Sequence, residues 1–153
     1  MMFCELAQET FKAEATFHAE FMAFFDTTIE AELRTAVQAP NNVLYTSRLL
    51  AVIHERPFYE GLAALLPCFK VYLEVGRHLK QHGSSNALYQ TWIDKYGGET
   101  YGAIVERVMR LTDAVAADLT EEQRACMREH FHLGCRMEYA FWTMAYEQQA
   151  WPI

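Results

Sequence analysis

Apolar residues recur at spacings of three and four along most of the chain, a pattern typical of amphipathic α-helices. The first predicted helix covers residues 3–25, and its apolar stripe consists of Phe11, Ala15, His18, Met22 and Phe25. Further helices are predicted over residues 29–36, 43–54, 58–81, 88–96, 99–118 and 120–147. Because no segment alternates convincingly between apolar and polar residues, we expect an all-α helical bundle.

Proline, glycine and capping residues separate these helices. The run 40–42, Pro-Asn-Asn, interrupts the pattern and is predicted to cap the helix that follows it. Thr120 and Gln123 have the spacing of a capping box, which predicts the start of the last helix. A chain of 153 residues is long enough for one domain with a core and too short for two of ordinary size, so we expect a single domain over residues 1–153.

The composition excludes several classes of protein. The formal net charge of −7 argues against binding to nucleic acid or to an anionic membrane, because phosphate recognition needs clustered Lys and Arg. No apolar run reaches the roughly 18 residues that a membrane span requires. The acidic residues Glu5, Glu9 and Glu14 argue against a signal peptide. The four cysteines have no CxxC spacing, which favours reduced thiols in a cytoplasmic protein.

Cys68 directly follows Pro67 inside a helical apolar pattern. Proline lacks a backbone N–H, so the helix must kink or restart at this point. If the helix restarts, Cys68 lies in its first turn, where unpaired amides and the positive end of the helix dipole favour a thiolate. The alternative is an inert, buried cysteine beside a kink.

Glu138 is the only charged residue in an apolar stripe of the last helix, which contains Phe131, Gly134, Cys135, Glu138, Phe141, Trp142 and Ala145. A carboxylate in such a stripe loses hydration, which raises its pKa and allows proton exchange near neutral pH. The alternative is a structural glutamate that is paired with an arginine or a tyrosine hydroxyl from a facing helix.

Several segments resemble the thiaminase II (TenA-type) family, in its cysteine-containing class, and they follow one another in the family's order. They cover residues 14–21, 45–47, 62–76, 89–98 and 138–146. The resemblance implies a haem-oxygenase-like helical bundle and the activity of an aminopyrimidine aminohydrolase. Enzymes of this family hydrolyse an aminomethylpyrimidine with release of ammonia and can also cleave thiamin, and they need no metal or organic cofactor.

The resemblance also implies roles for individual residues. Cys68 matches the family's nucleophile and Glu138 its catalytic acid and base. Tyr45 and Tyr96 match tyrosines whose hydroxyls lie near the nucleophilic sulfur. Tyr72 lies one helical turn beyond Cys68, and Phe141 lies about one turn beyond Glu138, so both are expected to offer rings to a planar pyrimidine or thiamin. Plain core packing is the alternative for all four aromatic residues.

By the same resemblance we expect a cytoplasmic homo-oligomer, a tetramer in the family. We also expect the chain to be shortened at its N-terminus. It would then lack the family's first helices, including an Asp that binds the pyrimidine, and its activity would be impaired or absent.

Two other functions remain open at this point. The chain could be a non-catalytic or decayed relative of these enzymes, with a pyrimidine-binding or regulatory function. It could also be a di-metal carboxylate protein, because two pairs place a carboxylate and an imidazole one turn apart, Glu14 with His18 and Glu74 with His78. Such pairs are often ordinary contacts on a helix surface.

Overall fold

The computed structural model describes residues 2–152, except for the side chains of residues 2, 3, 6, 9, 10 and 13. All regular secondary structure in this part of the chain is helical, which confirms the predicted all-α class. The chain forms two compact units, Met1–Val37 and Gln38–Ile153. None of the helices within the described residues is both long and apolar enough to cross a bilayer.

The N-terminal unit contains α1 (Met2–Ala23) and the short α2 (Ile29–Leu33). Phe17, Phe21 and Phe25 form a ladder in which successive ring centroids lie 5.8 and 6.0 Å apart. The predicted helices 3–25 and 29–36 both extend two or three residues too far. The first ends earlier because Asp26 adopts a left-handed conformation, with φ of 54°, which a helix cannot contain.

The C-terminal unit contains the remaining helices: α3 (Pro40–Glu55), α4 (Phe58–Leu65), α5 (Pro67–Lys80), α6 (Ala87–Tyr96), α7 (Glu99–Ala117) and α8 (Glu121–Tyr146). The capping box of Thr120 and Gln123 is present, as predicted. The predicted cap at residues 40–42 is wrong. Proline suits the first helical position, so α3 already begins at Pro40. The side chain of Asn41 instead donates to the carbonyl of Ala140 in α8 at 3.4 Å.

The predicted kink at Pro67 separates α4 from α5. Leu66, the residue between them, keeps helical dihedral angles (φ −54°, ψ −37°). Its amide still bonds back to Leu62, and its carbonyl accepts from the amide of Lys70. The two helices therefore follow one another almost without interruption, and the side chain of Pro67 is fully buried at the junction.

A glycine allows α8 to approach this kink. A Cβ atom at Gly134 would lie only 2.6 Å from Cγ of Pro67 and 3.3 Å from the carbonyl oxygen of Ala64. Only a glycine leaves room for so close a packing of the two segments. Gly134 lies one turn before Glu138, so this contact brings Glu138 towards the residue that follows Pro67.

A pair of glycines, Gly76 and Gly97, allows α5 to contact the end of α6. A Cβ atom at Gly76 would lie 2.5 Å from the amide nitrogen of Gly97 and 2.6 Å from the carbonyl carbon of Tyr96. A Cβ atom at Gly97 would lie 2.6 Å from the carbonyl oxygen of Gly76. This contact between two backbones holds the aromatic residues of α6 against α5.

We predict that Gly134→Ala destabilises the C-terminal unit by roughly 1–3 kcal/mol, because the added methyl group overlaps Pro67 and the backbone of Ala64. Gly61→Ala is the matched control. It also lies within a helix, but its Cβ would meet only Ile53, at an ordinary 3.8 Å, so its stability should equal or exceed that of the wild type, since alanine favours helices more than glycine does. Urea unfolding measures both values. Equal losses in the two variants would contradict the close packing at Gly134.

Candidate active site

The hydroxyl of Tyr45 connects two of the predicted catalytic residues. It donates a hydrogen bond of 2.6 Å to Oε1 of Glu138 and lies 3.0 Å from Sγ of Cys68. A phenol carries one proton, and Glu138 receives it, so the thiol must donate its own proton to the tyrosine oxygen. The three side chains thus form a directed chain of hydrogen bonds from Cys68 through Tyr45 to Glu138.

Three segments of the bundle supply this chain. Tyr45 lies in the second turn of α3, Cys68 is the second residue of α5, and Glu138 lies in the second half of α8. Tyr45 and Glu138 are buried, with 8% and 2% of their surfaces exposed, whereas Cys68 is half-buried. Cys68 is therefore the least buried member of the group.

Of the two alternatives for Cys68, the structure supports the buried thiol and not the thiolate. The pKa of this thiol is raised to about 12, chiefly by burial and also by the nearby Glu138, whereas the hydrogen bond that Tyr45 can donate to the thiolate acts in the opposite direction. The position beside Pro67 does not produce the open helix end on which the expectation depended, since Leu66 continues the helix. Cys68 is therefore a thiol in the resting protein and needs a base before it can act as a nucleophile.

Glu138 has the properties of such a base. Burial raises the pKa of its carboxyl group, and the hydrogen bond from Tyr45, with a smaller contribution from the nearby thiol of Cys68, only partly offsets that effect. Burial and the two acidic neighbours also raise the pKa of Tyr45 far above its usual value. The tyrosine therefore stays protonated and can pass a proton from sulfur to carboxylate without becoming a stable phenolate.

An aromatic cluster lies one helical turn beyond this group. It consists of Tyr72, Trp92, Tyr96, Tyr101 and Trp142. Tyr72 occupies its centre, with ring centroids 5.2 Å from Tyr96, 5.3 Å from Trp142 and 6.1 Å from Trp92. Tyr72 follows Cys68 by four residues in α5, and Trp142 follows Glu138 by four residues in α8, so both lie on the same helix faces as the polar group.

Trp142 carries a buried donor that the sequence interpretation did not single out. Its indole Nε1 has no hydrogen-bond partner among the described residues. A buried N–H without an acceptor costs about 1–3 kcal/mol. Its position one turn after Glu138 was the available signal, because a tryptophan there presents either an apolar ring or an N–H donor.

The structure brings together only some of the predicted site residues. Tyr45, Cys68 and Glu138 are in direct contact. Tyr72 and Tyr96 lie in the aromatic cluster, and Tyr96 packs against Trp92 at 4.7 Å and edge-on against Tyr101 at 5.0 Å. Phe141 is half-buried on α8, three residues after Glu138. The catalytic or binding roles of all six residues remain predictions.

The two carboxylate–imidazole pairs lie elsewhere on the helices. Glu14 contacts His18 at 3.4 Å within α1. Glu74 is exposed and pairs with Lys70 at 2.9 Å. Among the residues whose side chains are described, no group of three or more His, Cys, Asp and Glu could hold a metal ion. The geometry therefore gives no support to a di-metal centre in this part of the chain.

A second buried polar group, which we call the histidine network, consists of Arg48, Glu60 and His130. Nε2 of His130 lies 2.8 Å from Oε2 of Glu60, and Nδ1 lies 3.2 Å from the guanidinium of Arg48. The sequence interpretation did not single out His130. A glutamate in the apolar start of α4 was the signal that could have revealed a buried partner.

Comparisons with known proteins agree with this geometry. A sequence model of the TENA/THI-4/PQQC family matches residues 5–148. The chain is 38% identical over 145 residues to an aminopyrimidine aminohydrolase of Bacillus subtilis, which covers 95% of this chain and 61% of that protein. It is 28% identical over 151 residues to an aminopyrimidine aminohydrolase of Halalkalibacterium halodurans, which covers 97% of this chain and 67% of that protein.

Solved structures agree as well. A TenA homologue protein from P. horikoshii OT3 superposes with a TM-score of 0.82 at 26% identity, over 94% of this chain and 66% of that one. A TenA homologue from Pyrococcus furiosus has the same fold, with a TM-score of 0.74 at 21% identity over 95% of this chain and 65% of that one. The chain thus spans about two thirds of the length of these relatives, and 61% of that of the Bacillus protein.

We predict that Cys68→Ser changes how stability depends on alkaline pH. The pKa of the folded thiol, about 12, exceeds its usual value of 9.0, so the thiol favours the folded state fully below pH 9 and less as the pH rises. At pH 10.5 the wild type should have lost about 2 kcal/mol relative to the serine variant, compared with their difference at pH 8. Urea unfolding at both pH values measures this. A difference that does not change with pH would show that the thiol is not buried in the folded state.

Proposed function

The chain belongs to the TENA/THI-4/PQQC family, and from this premise we propose that it is an aminopyrimidine aminohydrolase of the thiaminase II type with Cys68 as nucleophile. The observation that carries the proposal is the hydrogen-bonded chain Cys68–Tyr45–Glu138. It joins a thiol, a proton relay and a base of raised pKa, which are the groups that attack on an electron-poor ring requires.

In the first step, Glu138 activates the thiol. The Cys68 proton passes to the oxygen of Tyr45 while the phenolic proton passes to Glu138, so the products are a thiolate and a neutral carboxylic acid. The short bond between Tyr45 and Glu138, 2.6 Å, and the thiol contact of 3.0 Å are suited to such a transfer. A neutral carboxyl group also removes the negative charge that opposes ionisation of the sulfur.

In the following steps, the thiolate adds to a carbon of the pyrimidine ring, and the amino group leaves from the methylene carbon. Glu138 returns its proton to the departing amine, which is released as ammonia. Water then adds to the methylene carbon, and its remaining proton returns through Glu138 and Tyr45 as the ring–sulfur bond breaks and the thiol re-forms. The net change is hydrolysis of a carbon–nitrogen bond. Thiamin would be cleaved in the same way, with its thiazole as leaving group.

The aromatic cluster supplies the surroundings that such a substrate needs. Tyr72 lies one turn from Cys68 and offers a ring face for stacking. The unpartnered N–H of Trp142 can donate to a ring nitrogen of the pyrimidine once the rings adjust around the substrate. We assign Tyr96 to the support of Tyr72, with which it is in ring contact, and Phe141 to the outer wall of the binding site.

Assembly and location follow the same proposal. We expect a cytoplasmic homo-oligomer whose small-molecule partner is the pyrimidine or thiamin. Several large apolar side chains of the C-terminal unit are exposed, among them Leu44, Leu50, Ile53 and Phe58, which favours association.

The second candidate function is a pyrimidine-binding relative without catalysis. It is favoured by the raised pKa of Cys68.

Release of ammonia from an aminopyrimidine that carries an aminomethyl group tests the proposal. Cys68→Ser should lower turnover at least about a thousandfold, because a serine hydroxyl is a far weaker nucleophile. Glu138→Gln should lower turnover by about 10²–10⁴-fold through loss of the base. Its free energy of unfolding at pH 7 should nevertheless rise, because a neutral amide replaces a buried carboxylate and can still accept from Tyr45.

Glu74→Gln is the matched control for the glutamate variant, since Glu74 is exposed and pairs only with Lys70 in the contacts described above. It should leave turnover unchanged. Wild-type turnover that survives in Cys68→Ser would exclude Cys68 as the nucleophile. Binding of the pyrimidine without turnover in the wild type would favour the non-catalytic candidate.

A further inference from the structure

The histidine network lies outside the chain of hydrogen bonds that the proposed reaction uses, yet it is almost equally buried. Only 7% of Glu60 is exposed, and the side chain of His130 is 12% exposed. Arg56 approaches Glu60 from the end of α3, with 3.9 Å between its Nε and Oε2. Burying a carboxylate and an imidazole beside the half-buried Arg48 is costly unless each has a defined partner.

The partners of His130 determine its protonation. Arg48 can only donate hydrogen bonds, so Nδ1 of His130 must be the acceptor of the 3.2 Å contact. The remaining nitrogen, Nε2, then carries the proton and donates to Glu60 at 2.8 Å. His130 is therefore a neutral imidazole of one tautomer, which joins Arg48 of α3 to Glu60 of α4 from its own position in α8.

The spacing of these residues matches that of the proposed active site. Glu60 precedes Cys68 by eight residues, and His130 precedes Glu138 by the same number, so the two polar groups lie about 12 Å apart along α8. On α3, Arg48 follows Tyr45 by only three residues, a rise of about 4.5 Å. The long side chain of Arg48 spans the remaining distance between its position on α3 and His130. The histidine network and the active-site group thus join α3, α8 and the kinked α4–α5 segment at two levels.

We propose that the histidine network is a positioning network that fixes α3 against α8, so that the hydroxyl of Tyr45 reaches both Cys68 and Glu138. Its contact with α3 lies one turn from Tyr45. Between the two levels, Gly134 already sets the distance of α8 from the kink at Pro67. That contact does not involve α3 and therefore does not fix its position. Apart from Tyr45, two polar side chains of α3 form described hydrogen bonds to α8, namely Asn41 and Arg48.

The proposal assigns His130, Arg48 and Glu60 a role that acts through Tyr45. The importance of this role for catalysis rests on the proposed reaction. The effect of the network on the contact between Tyr45 and Cys68 can be measured without substrate. Once the thiol has passed its proton to Tyr45, the hydroxyl of Tyr45 donates to the thiolate, and this hydrogen bond lowers the pKa of Cys68 against the effect of burial. Loss of that bond should therefore slow reaction of the sulfur, whereas mere loosening of the bundle should expose the sulfur and make it react faster.

Alkylation of Cys68 by iodoacetamide at pH 8.5 tests the proposal, with modification of each cysteine measured by peptide mass spectrometry. Tyr45→Phe should slow alkylation of Cys68 by about tenfold or more, since a hydrogen bond to a charged group is lost. His130→Leu should slow it by roughly three- to tenfold. In the double variant, His130→Leu should add no further effect, because the two changes act through the same hydroxyl.

Conservative variants and a matched control complete the design. His130→Gln should restore the wild-type rate, because a glutamine amide can donate to Glu60 and accept from Arg48 at once. His132→Leu removes an exposed histidine two residues away on α8 and should leave the rate unchanged. Arg48→Met gives the same test as His130→Leu should the leucine variant fail to fold, since it keeps the length of the side chain and removes the donor.

The result expected is slower alkylation in His130→Leu and Arg48→Met that is absent in the Tyr45→Phe background and restored by glutamine at position 130. Alkylation that becomes faster in these variants would overturn the proposal, since it would mean that the network only holds the bundle closed. An unchanged rate, or effects that simply add to that of Tyr45→Phe, would overturn it as well. Absence of aminohydrolase turnover in the wild type would refute the proposed reaction and leave this measurement unaffected.

Discussion

One phenolic proton determines the chemistry of this site. Tyr45 donates it to Glu138, and this direction forces the thiol of Cys68 to donate to the tyrosine oxygen. A cysteine whose burial raises its pKa to about 12 would be inert at neutral pH if it stood alone. The same burial raises the pKa of Glu138, so the base is strengthened by the environment that weakens the acid. In the proposed reaction, Tyr45 lets the two groups exchange a proton within the low-dielectric interior.

The helical packing serves to hold these three side chains at hydrogen-bonding distance. They come from three segments that are far apart in the sequence, so their distances depend on contacts between helices. Gly134 brings α8 to the kink at Pro67, and Gly76 with Gly97 brings α6 to α5. Where side chains would keep two segments apart, a missing Cβ atom allows the backbones to approach. The aromatic cluster then lies directly beyond the polar group, on the same faces of α5 and α8.

Helical periodicity and a lone charge in an apolar stripe are local signals, so the all-α class, most helix boundaries and the burial of Glu138 could be predicted from the sequence. The sequence also singled out Cys68 and Glu138 as candidate catalytic residues, and these roles remain proposals. The joining of Tyr45 to both residues could be expected only through family resemblance, since no local pattern encodes a contact over 93 residues. The ionisation of Cys68 was left open between a thiolate and a buried thiol. Its position after proline suggested an open helix end, whereas burial by neighbouring helices decides its pKa. The histidine network was missed for the same reason, because the partners of Glu60 lie in other helices.

The most direct test of the proton path is the titration of Glu138 by infrared difference spectroscopy, with Glu138→Gln as the reference that identifies its bands. In the wild type, the midpoint should lie above the ordinary value for a glutamate, because burial disfavours the carboxylate. In Tyr45→Phe, the midpoint should move higher still, since the carboxylate loses its donor. A midpoint that is the same with and without the tyrosine hydroxyl would contradict the assignment of Tyr45 as the group that connects Cys68 to Glu138.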